Sequence, residues 1–271
     1  MSASLCRSYL FVPANRPERF AKACAAGADA VIIDLEDAVP AAEKSAAREA
    51  LAAWLSPAQQ VIIRINSADS IWFGDDLALC SMPGVAGIIL PKAENVADIE
   101  KLVDVGAKAI LPLIESAHGF AQLRALAHAA RVERLLFGSI DFSFDLGITE
   151  GYEELLFFRS QIVLESRLAG IAAPVDGVTT ALDNPDILRN DAQRARRLGF
   201  GAKLCIHPKQ ISEVHACFSP TASELVWANR VLEAAHVANG AAVAIDGKMV
   251  DKPVIMIAQR MVDEARLRSQ P

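Results

Sequence analysis

Apolar and polar positions alternate in blocks along this chain. Short apolar runs rich in β-branched residues occur at 8–12, 30–35, 61–66, 87–91, 109–114, 134–139, 172–178 and 202–207. Runs of this length bounded by turn residues read as strands buried on both faces of a parallel sheet. Between them lie stretches rich in Ala, Leu, Glu and Arg, at 17–26, 41–55, 75–80, 96–105, 120–130, 153–169 and 185–198, which read as helices. This rhythm of strand and helix predicts an α/β fold, a (β/α)8 TIM barrel. Its weakest unit is the third, where Met82-Pro83-Gly84 stops a short helix.

The pattern changes after Pro208. A short helix is expected over 211–217, and Ser219-Pro220 breaks the chain before a capping box at Thr221 and Glu224. A helix then runs over 224–239 to Gly240, followed by a hairpin-like piece over 243–250 and a last helix from Pro253. The expected boundaries are a barrel over 1–218 and a small C-terminal lid extension of helices and a hairpin over 219–271. The polar tail 266–271 is expected to fray.

Polar residues gather at the C-terminal ends of the predicted strands: Asn15, Asp34, Glu36, Asp37, Arg64, Asn66, Lys92, Glu115, Asp141, Asp176 and His207. In barrels that rim carries the chemistry. Glu115 and Asp141 each close an apolar run, so they point into one mouth. There they fit a hard cation such as Mg²⁺, which takes one or two acids plus substrate oxygens. Two solvated acids, or ion pairs with Arg64 or Lys92, are the other reading. Arg64 stands in the apolar run Val61-Ile-Ile-Arg-Ile-Asn66 and keeps its charge at every accessible pH. Its partner is a substrate carboxylate or an acid of the protein, Glu36 or Glu115.

Asp34-Leu-Glu36-Asp37 puts three acids within four residues. Alternation sends Asp34 and Glu36 to one side and Asp37 into the loop, where the group would orient Arg64, Lys92 and metal-bound water; a helix N-cap before Pro40 with solvated loop acids is the other reading. Glu36 and Asp37 therefore join Arg64 as catalytic candidates. Asn15 and Arg16, before a predicted helix start, read either as a phosphate-binding turn or as a solvated one. Lys92 is the candidate for a Schiff-base lysine. His207 lacks an acid neighbour and reads as structural.

A formal net charge of −6 argues against a nucleic-acid coat or a polybasic membrane anchor. Five cysteines without a C-x-x-C pair suit a reducing compartment. No signal-peptide stretch or membrane-length apolar run is seen, so a soluble cytoplasmic protein is expected. Serine-hydrolase elbows, P-loops and dinucleotide-binding glycine motifs are missing.

Taken together, Ser8-Tyr-Leu-Phe-Val-Pro-Ala-Asn-Arg16, Gly27-Ala-Asp-Ala-Val-Ile-Ile-Asp-Leu-Glu-Asp-Ala-Val39, Arg64-Ile-Asn66, Leu90-Pro-Lys92, Pro112-Leu-Ile-Glu115, Phe137-Gly-Ser-Ile-Asp141 and Ile206-His-Pro208 resemble the HpcH/HpaI aldolase and citrate lyase family. The likeness is to its citrate-lyase-β-like branch, which includes malyl- and citramalyl-CoA lyases. The resemblance implies Mg²⁺ on Glu115 and Asp141, an oxo-acid on Arg64, and coenzyme A phosphates near Arg16. It also implies a homo-oligomer, a trimer or hexamer, in which Asp251 of one subunit's lid serves the adjacent site as acid or base. Two departures stand out: Ala14 where the family reads Pro-Gly-Asn, and Ala202 for the second glycine of Gly-Phe-x-Gly-Lys. Each puts a methyl where a backbone could approach the carrier. The expected activity is cleavage of a malyl-, citramalyl- or citryl-type thioester, carried on coenzyme A or an acyl carrier, to an oxo acid and an acetyl thioester. A metal-dependent pyruvate-type aldolase acting on free hydroxy-oxo acids and a non-catalytic barrel subunit are the alternatives.

Overall fold

The computed structural model describes residues 6–149, 152–237 and 243–269. Eight parallel strands close into a barrel in sequence order: β1 Ser8–Pro13, β2 Ala30–Asp34, β3 Val61–Arg64, β4 Val85–Leu90, β5 Ile110–Ile114, β6 Arg134–Phe137, β7 Ala172–Asp176 and β8 Ala202–Cys205. Helices run between them: α1 Phe20–Cys24, α2 Lys44–Trp54, α3 Phe73–Asp76, α4 Val96–Asp104, α5 Ala117–Ala121, α6 Leu123–Ala127, α7 Ser139–Leu146, α8 Leu156–Leu168 and α9 Pro185–Leu198. The barrel interior is packed by inward side chains such as Tyr9, Ile32, Ile62, Ile89, Leu111 and Leu136. Parallel strands buried on both faces need this unbroken apolar character.

Two stretches depart from expectation. The apolar run 134–139 is not all strand: β6 ends at Phe137, and Gly138 opens α7, which the pattern did not reveal. Hydrophobicity is continuous across that junction, so periodicity gives no sign of where strand becomes helix. The helix expected over 120–130 is two short helices, α5 and α6, meeting at Gln122 (φ −95°, ψ 5°). The third unit is as short as expected, α3 followed by a 3₁₀ turn, Leu77–Leu79.

The chain divides into two compact units, Met1–His215 and Ala216–Pro271. A 3₁₀ turn, Pro208–Gln210, and α10 (Ile211–Cys217) span the end of the first. In the second, Thr221 and Glu224 cap α11 (Ala222–Val237) reciprocally: Thr221 N donates to Glu224 Oε2 at 2.7 Å, and Glu224 N to Thr221 Oγ1 at 3.2 Å. The expected stop at Gly240 lies outside the described residues. The hairpin is β9 (Val243–Ile245) against β10 (Lys248–Val250), turned at Asp246 and Gly247, both with positive φ. That conformation is the two-residue turn that matches strand twist, and glycine adopts it without a steric cost. The last helix, α12, runs Lys252–Ser269, beyond the point where fraying was expected. Among the described residues, no helix is long and apolar enough to cross a membrane.

Candidate active site

The site begins with the pairing of two adjacent strands. Asp34 and Arg64 sit opposite each other in the β2–β3 register. Arg64 donates from Nε to Asp34 Oδ1 and from Nη2 to Asp34 Oδ2, each at 2.7 Å. A planar guanidinium and a carboxylate match edge to edge in this way. Arg64 Nη1 lies 2.9 Å from Glu36 Oε2 and 3.7 Å from Asp37 Oδ2, and the guanidinium stacks 4.9 Å from the Phe11 ring. Burial works against the Arg64 charge, but the Asp34 carboxylate outweighs it and raises the pKa above its ordinary value.

Glu36 is buried and its backbone is anchored from behind. The Lys44 ammonium donates to Leu35 O (2.8 Å), Glu36 O (2.9 Å) and Asn66 Oδ1 (2.7 Å). Asn66 is in turn held by Asp76, whose Oδ2 accepts from Asn66 N at 2.9 Å and Nδ2 at 2.7 Å. Sequence reasoning missed Lys44 and Asp76. A signal existed for the lysine: it shares the buried face of α2 with Ala47 and Leu51, and a charge on such a face must find acceptors. The Glu36 Oε1 atom accepts from Lys92 Nζ at 3.1 Å, while Oε2 is buried with no aligned donor among the described residues. Burial pushes the Glu36 carboxyl up, and the nearby Asp37 charge adds to the effect.

Glu115 follows β5 and is buried; its Oε1 accepts from the Lys92 backbone N–H at 2.9 Å. Burial, then the negative charge of Glu36, pushes its carboxyl up to about 8. Asp141 stands one turn into α7 and is exposed, rather than ending a strand. Both acids line one cavity of about 420 Å³ with Arg64, Asp34 and Asp37, under Phe11, Leu113 and Phe137. Among the described residues, no group of three His, Cys, Asp or Glu side chains is placed to hold a metal. Two carboxylates with an open face suit Mg²⁺, which keeps water and substrate oxygens in its remaining positions. The chemistry of the donor set, two carboxylates lining one cavity, fits that ion.

The other candidates are dispersed. Lys92 is exposed, with Nζ on Glu36, and holds a left-handed backbone (φ 45°). Asn15 donates from Nδ2 to Glu43 Oε2 at 2.6 Å, and its Oδ1 is buried without a partner. Arg16 is exposed and pairs with Glu18 at 2.7 Å. The helix expected at 17–26 is a 3₁₀ turn, Pro17–Arg19, leading into five-residue α1, too short for much of a helix dipole. Arg19 and Lys22 instead line a cavity of about 560 Å³, which shares Phe11, Pro13 and Ile206 with the mouth. His207 is a cap, accepting from Lys209 N at Nδ1 (3.1 Å). Ala14 is fully buried, and the Ala202 methyl packs in the barrel core. Asp251 belongs to the second unit, where it precedes α12 and lies 3.5 Å from Val254 N.

Comparison with known proteins agrees with this architecture. A family model described as HpcH/HpaI aldolase/citrate lyase matches residues 7–208. A citrate lyase subunit beta-like protein of Deinococcus radiodurans is 37% identical, with 96% of this chain and 97% of that one covered. A (3S)-malyl-CoA thioesterase of Cereibacter sphaeroides is 32% identical over 96% of this chain and 94% of its own. CitE of Mycobacterium tuberculosis, solved in complex with magnesium, acetoacetate and coenzyme A, superposes with a TM-score of 0.87 at 35% identity, covering 98% of this chain and 100% of that one. With its barrel, its mouth and these relatives in agreement, the chain belongs to the HpcH/HpaI aldolase/citrate lyase family and is an enzyme of the lyase type.

Proposed function

We propose that this protein is a Mg²⁺-dependent carbon–carbon lyase that cleaves a β-hydroxyacyl thioester of the malyl-, citramalyl- or citryl-CoA type into an oxo acid and an acetyl thioester. The observation that carries the reading is one cavity lined by a fixed guanidinium, Arg64, and two carboxylates, Glu115 and Asp141. Glu115 and Asp141 would hold the ion, which when bound supplies Lewis-acid polarisation of the oxo-acid oxygens. Arg64 presents the edge not used by Asp34 to the oxo-acid carboxylate, fixing it by charge and direction.

In this reading Glu36 takes the hydroxyl proton at Oε2, the oxygen that faces the Arg64 guanidinium at 2.9 Å. The hydroxyl oxygen becomes the carbonyl of the oxo acid, the carbon–carbon bond breaks, and its electrons pass to the thioester enolate. A proton delivered to the enolate carbon gives the acetyl thioester. Asp251 of a neighbouring copy is assigned that delivery, and Asp37 the orientation of Arg64. Lys92 and Asn15 bind substrate polar groups. Magnesium and coenzyme A in the M. tuberculosis relative support the ion and carrier. Arg19 and Lys22, beside a cavity that shares lining residues with the mouth, add cations where Arg16 meets the carrier's phosphates.

A homo-oligomer belongs to the same reading. It is supported by apolar residues exposed on α7 and α8, with Phe144 at 89% and Phe157 at 60%. Five free thiols agree with a cytoplasmic location. The test is release of oxo acid and acetyl thioester from malyl-, citramalyl- and citryl-CoA, with Mg²⁺ and with EDTA. Metal-dependent release from one of them carries the proposal. No release from any, with cleavage of free hydroxy-oxo acids, replaces it with the aldolase.

A further inference from the structure

We infer that Gly138 is a positioning residue, and that the space left by its missing side chain sets the Glu115 carboxylate. This rests on the reading of Glu115 as a cation ligand. The β5–β6 register pairs Leu113 with Leu136 and Ile114 with Phe137, and Gly138 N donates to Ile114 O at 2.9 Å. The next step of that register brings Gly138 beside Glu115. A β-carbon on Gly138 would lie 2.6 Å from Glu115 Oε2 and 2.8 Å from Glu115 Cβ. The carboxylate end could swing aside, but the Cβ is held by the strand it follows.

Conformation does not require glycine here. The Gly138 backbone has φ −85° and ψ 71°, on the side of φ open to every residue. Space is therefore the reason for it. The other carboxylate oxygen is fixed from the opposite strand, where the Lys92 N–H reaches Oε1 at 2.9 Å. That amide is aimed by a left-handed turn (φ 45°), a conformation L-residues adopt only where the surroundings hold it. A backbone donor on one side and an absent side chain on the other form a cradle for the Glu115 carboxylate. Gly138 also opens α7, the helix that carries Asp141, so one residue sets both acids relative to each other.

The experiment measures Mg²⁺ binding by titration calorimetry on metal-stripped full-length protein, with melting temperatures alongside, for wild type, Gly138→Ala, Glu115→Gly and the double variant. Gly138→Ala is expected to weaken Mg²⁺ about tenfold or more, the usual range for losing a partner that orients a ligand. Its loss in melting temperature should shrink in the Glu115→Gly background, because both the β-carbon and the carboxylate it collides with are gone. Wild-type affinity in Gly138→Ala, or equal melting losses in both backgrounds, would overturn the inference. If Gly138→Ala fails to fold, folding of the double variant supports the collision and its failure overturns it. A wild-type protein that binds no Mg²⁺ overturns the metal reading instead, which the melting cycle then separates from the packing argument.

Discussion

Asp34 holds Arg64 with both of its oxygens, at 2.7 Å each, from directly across the β2–β3 pairing. The clamp occupies the Nε–Nη2 edge and turns the other edge of the guanidinium toward Glu36 and the mouth. A buried cation that loses its carboxylate costs about 3–5 kcal/mol, more than any exposed ion pair. Asp34→Ala should therefore lower the urea unfolding midpoint and, by releasing Arg64, cut kcat/KM by about tenfold or more. A variant with wild-type stability and turnover would show that the clamp is dispensable. The same relationship changes what Arg64→Ala means: it strands Asp34 and Glu36 and should destabilise the barrel as well as silence it. Arg64→Lys, which keeps charge but lacks the fork, separates positioning from stability.

Asp141 tests the metal reading more cleanly than Glu115. It is exposed, in the first turn of α7. Asp141→Asn is expected to leave the melting temperature of the metal-free protein unchanged while lowering Mg²⁺-dependent turnover about a hundredfold. Calorimetric titration and steady-state assays on one preparation check both halves. An equal fall in stability and activity would mean that Asp141 caps α7 and does nothing else.

Much of this site can be read from the chain because the barrel turns sequence order into spatial order. Each strand end delivers its polar residue to one rim, so Glu36, Arg64, Lys92 and Glu115 meet although 79 positions separate the first from the last (115 − 36). The helix carrying Asp141 was not legible, since an apolar run crosses from strand to helix without changing composition. Lys44 and Asp76 were hidden for another reason. They act on backbone and amide groups behind the rim, and nothing in a periodic pattern records which acceptor a buried ammonium finds. Gly138 carried no signal either, because a glycine chosen for space looks the same in sequence as one chosen for a turn.

Lys44 should thus matter beyond its own neighbourhood. Its three acceptors belong to the Glu36 loop and to Asn66. Lys44→Met keeps the stem and leaves two carbonyls and an amide oxygen unsatisfied, each costing about 1–3 kcal/mol. Loss of several degrees in melting temperature is expected, together with a fall in kcat as Glu36 loosens. Full kcat in a destabilised variant would confine Lys44 to stability.

At the opposite end of the barrel, Asp29 sets a pH limit. Its Oδ2 accepts from Arg7 N (2.7 Å) and Ser8 N (3.2 Å) and lies 3.1 Å from His215 Nε2. Burial alone would raise this carboxyl, but the His215 and Arg7 contacts outweigh it and hold the pKa below its ordinary 3.8. A folded-state value below the unfolded one contributes stability that is present above about pH 4 and lost as pH falls through the folded value. Asp29→Asn should melt a few degrees below wild type at pH 7, and the gap should narrow as pH falls below about 4. A gap that is constant with pH would assign the effect to hydrogen bonding and not to charge.

The cations beside the mouth offer the last test, because they separate carrier binding from chemistry. Arg19 and Lys22 line a cavity that shares Phe11, Pro13 and Ile206 with the mouth, on the far side from Glu115 and Asp141 in the strand order. Groups that touch only the carrier bind ground state and transition state alike, so their loss raises KM and leaves kcat in place. The double variant Arg19→Ala and Lys22→Ala is expected to raise KM for a coenzyme A thioester about tenfold. It should also flatten the dependence of KM on salt, since two screened attractions are gone. Assays of the variant across a salt series decide it. A fall in kcat at constant KM would move these cations from the carrier to the reacting end and require the substrate to lie in the opposite sense.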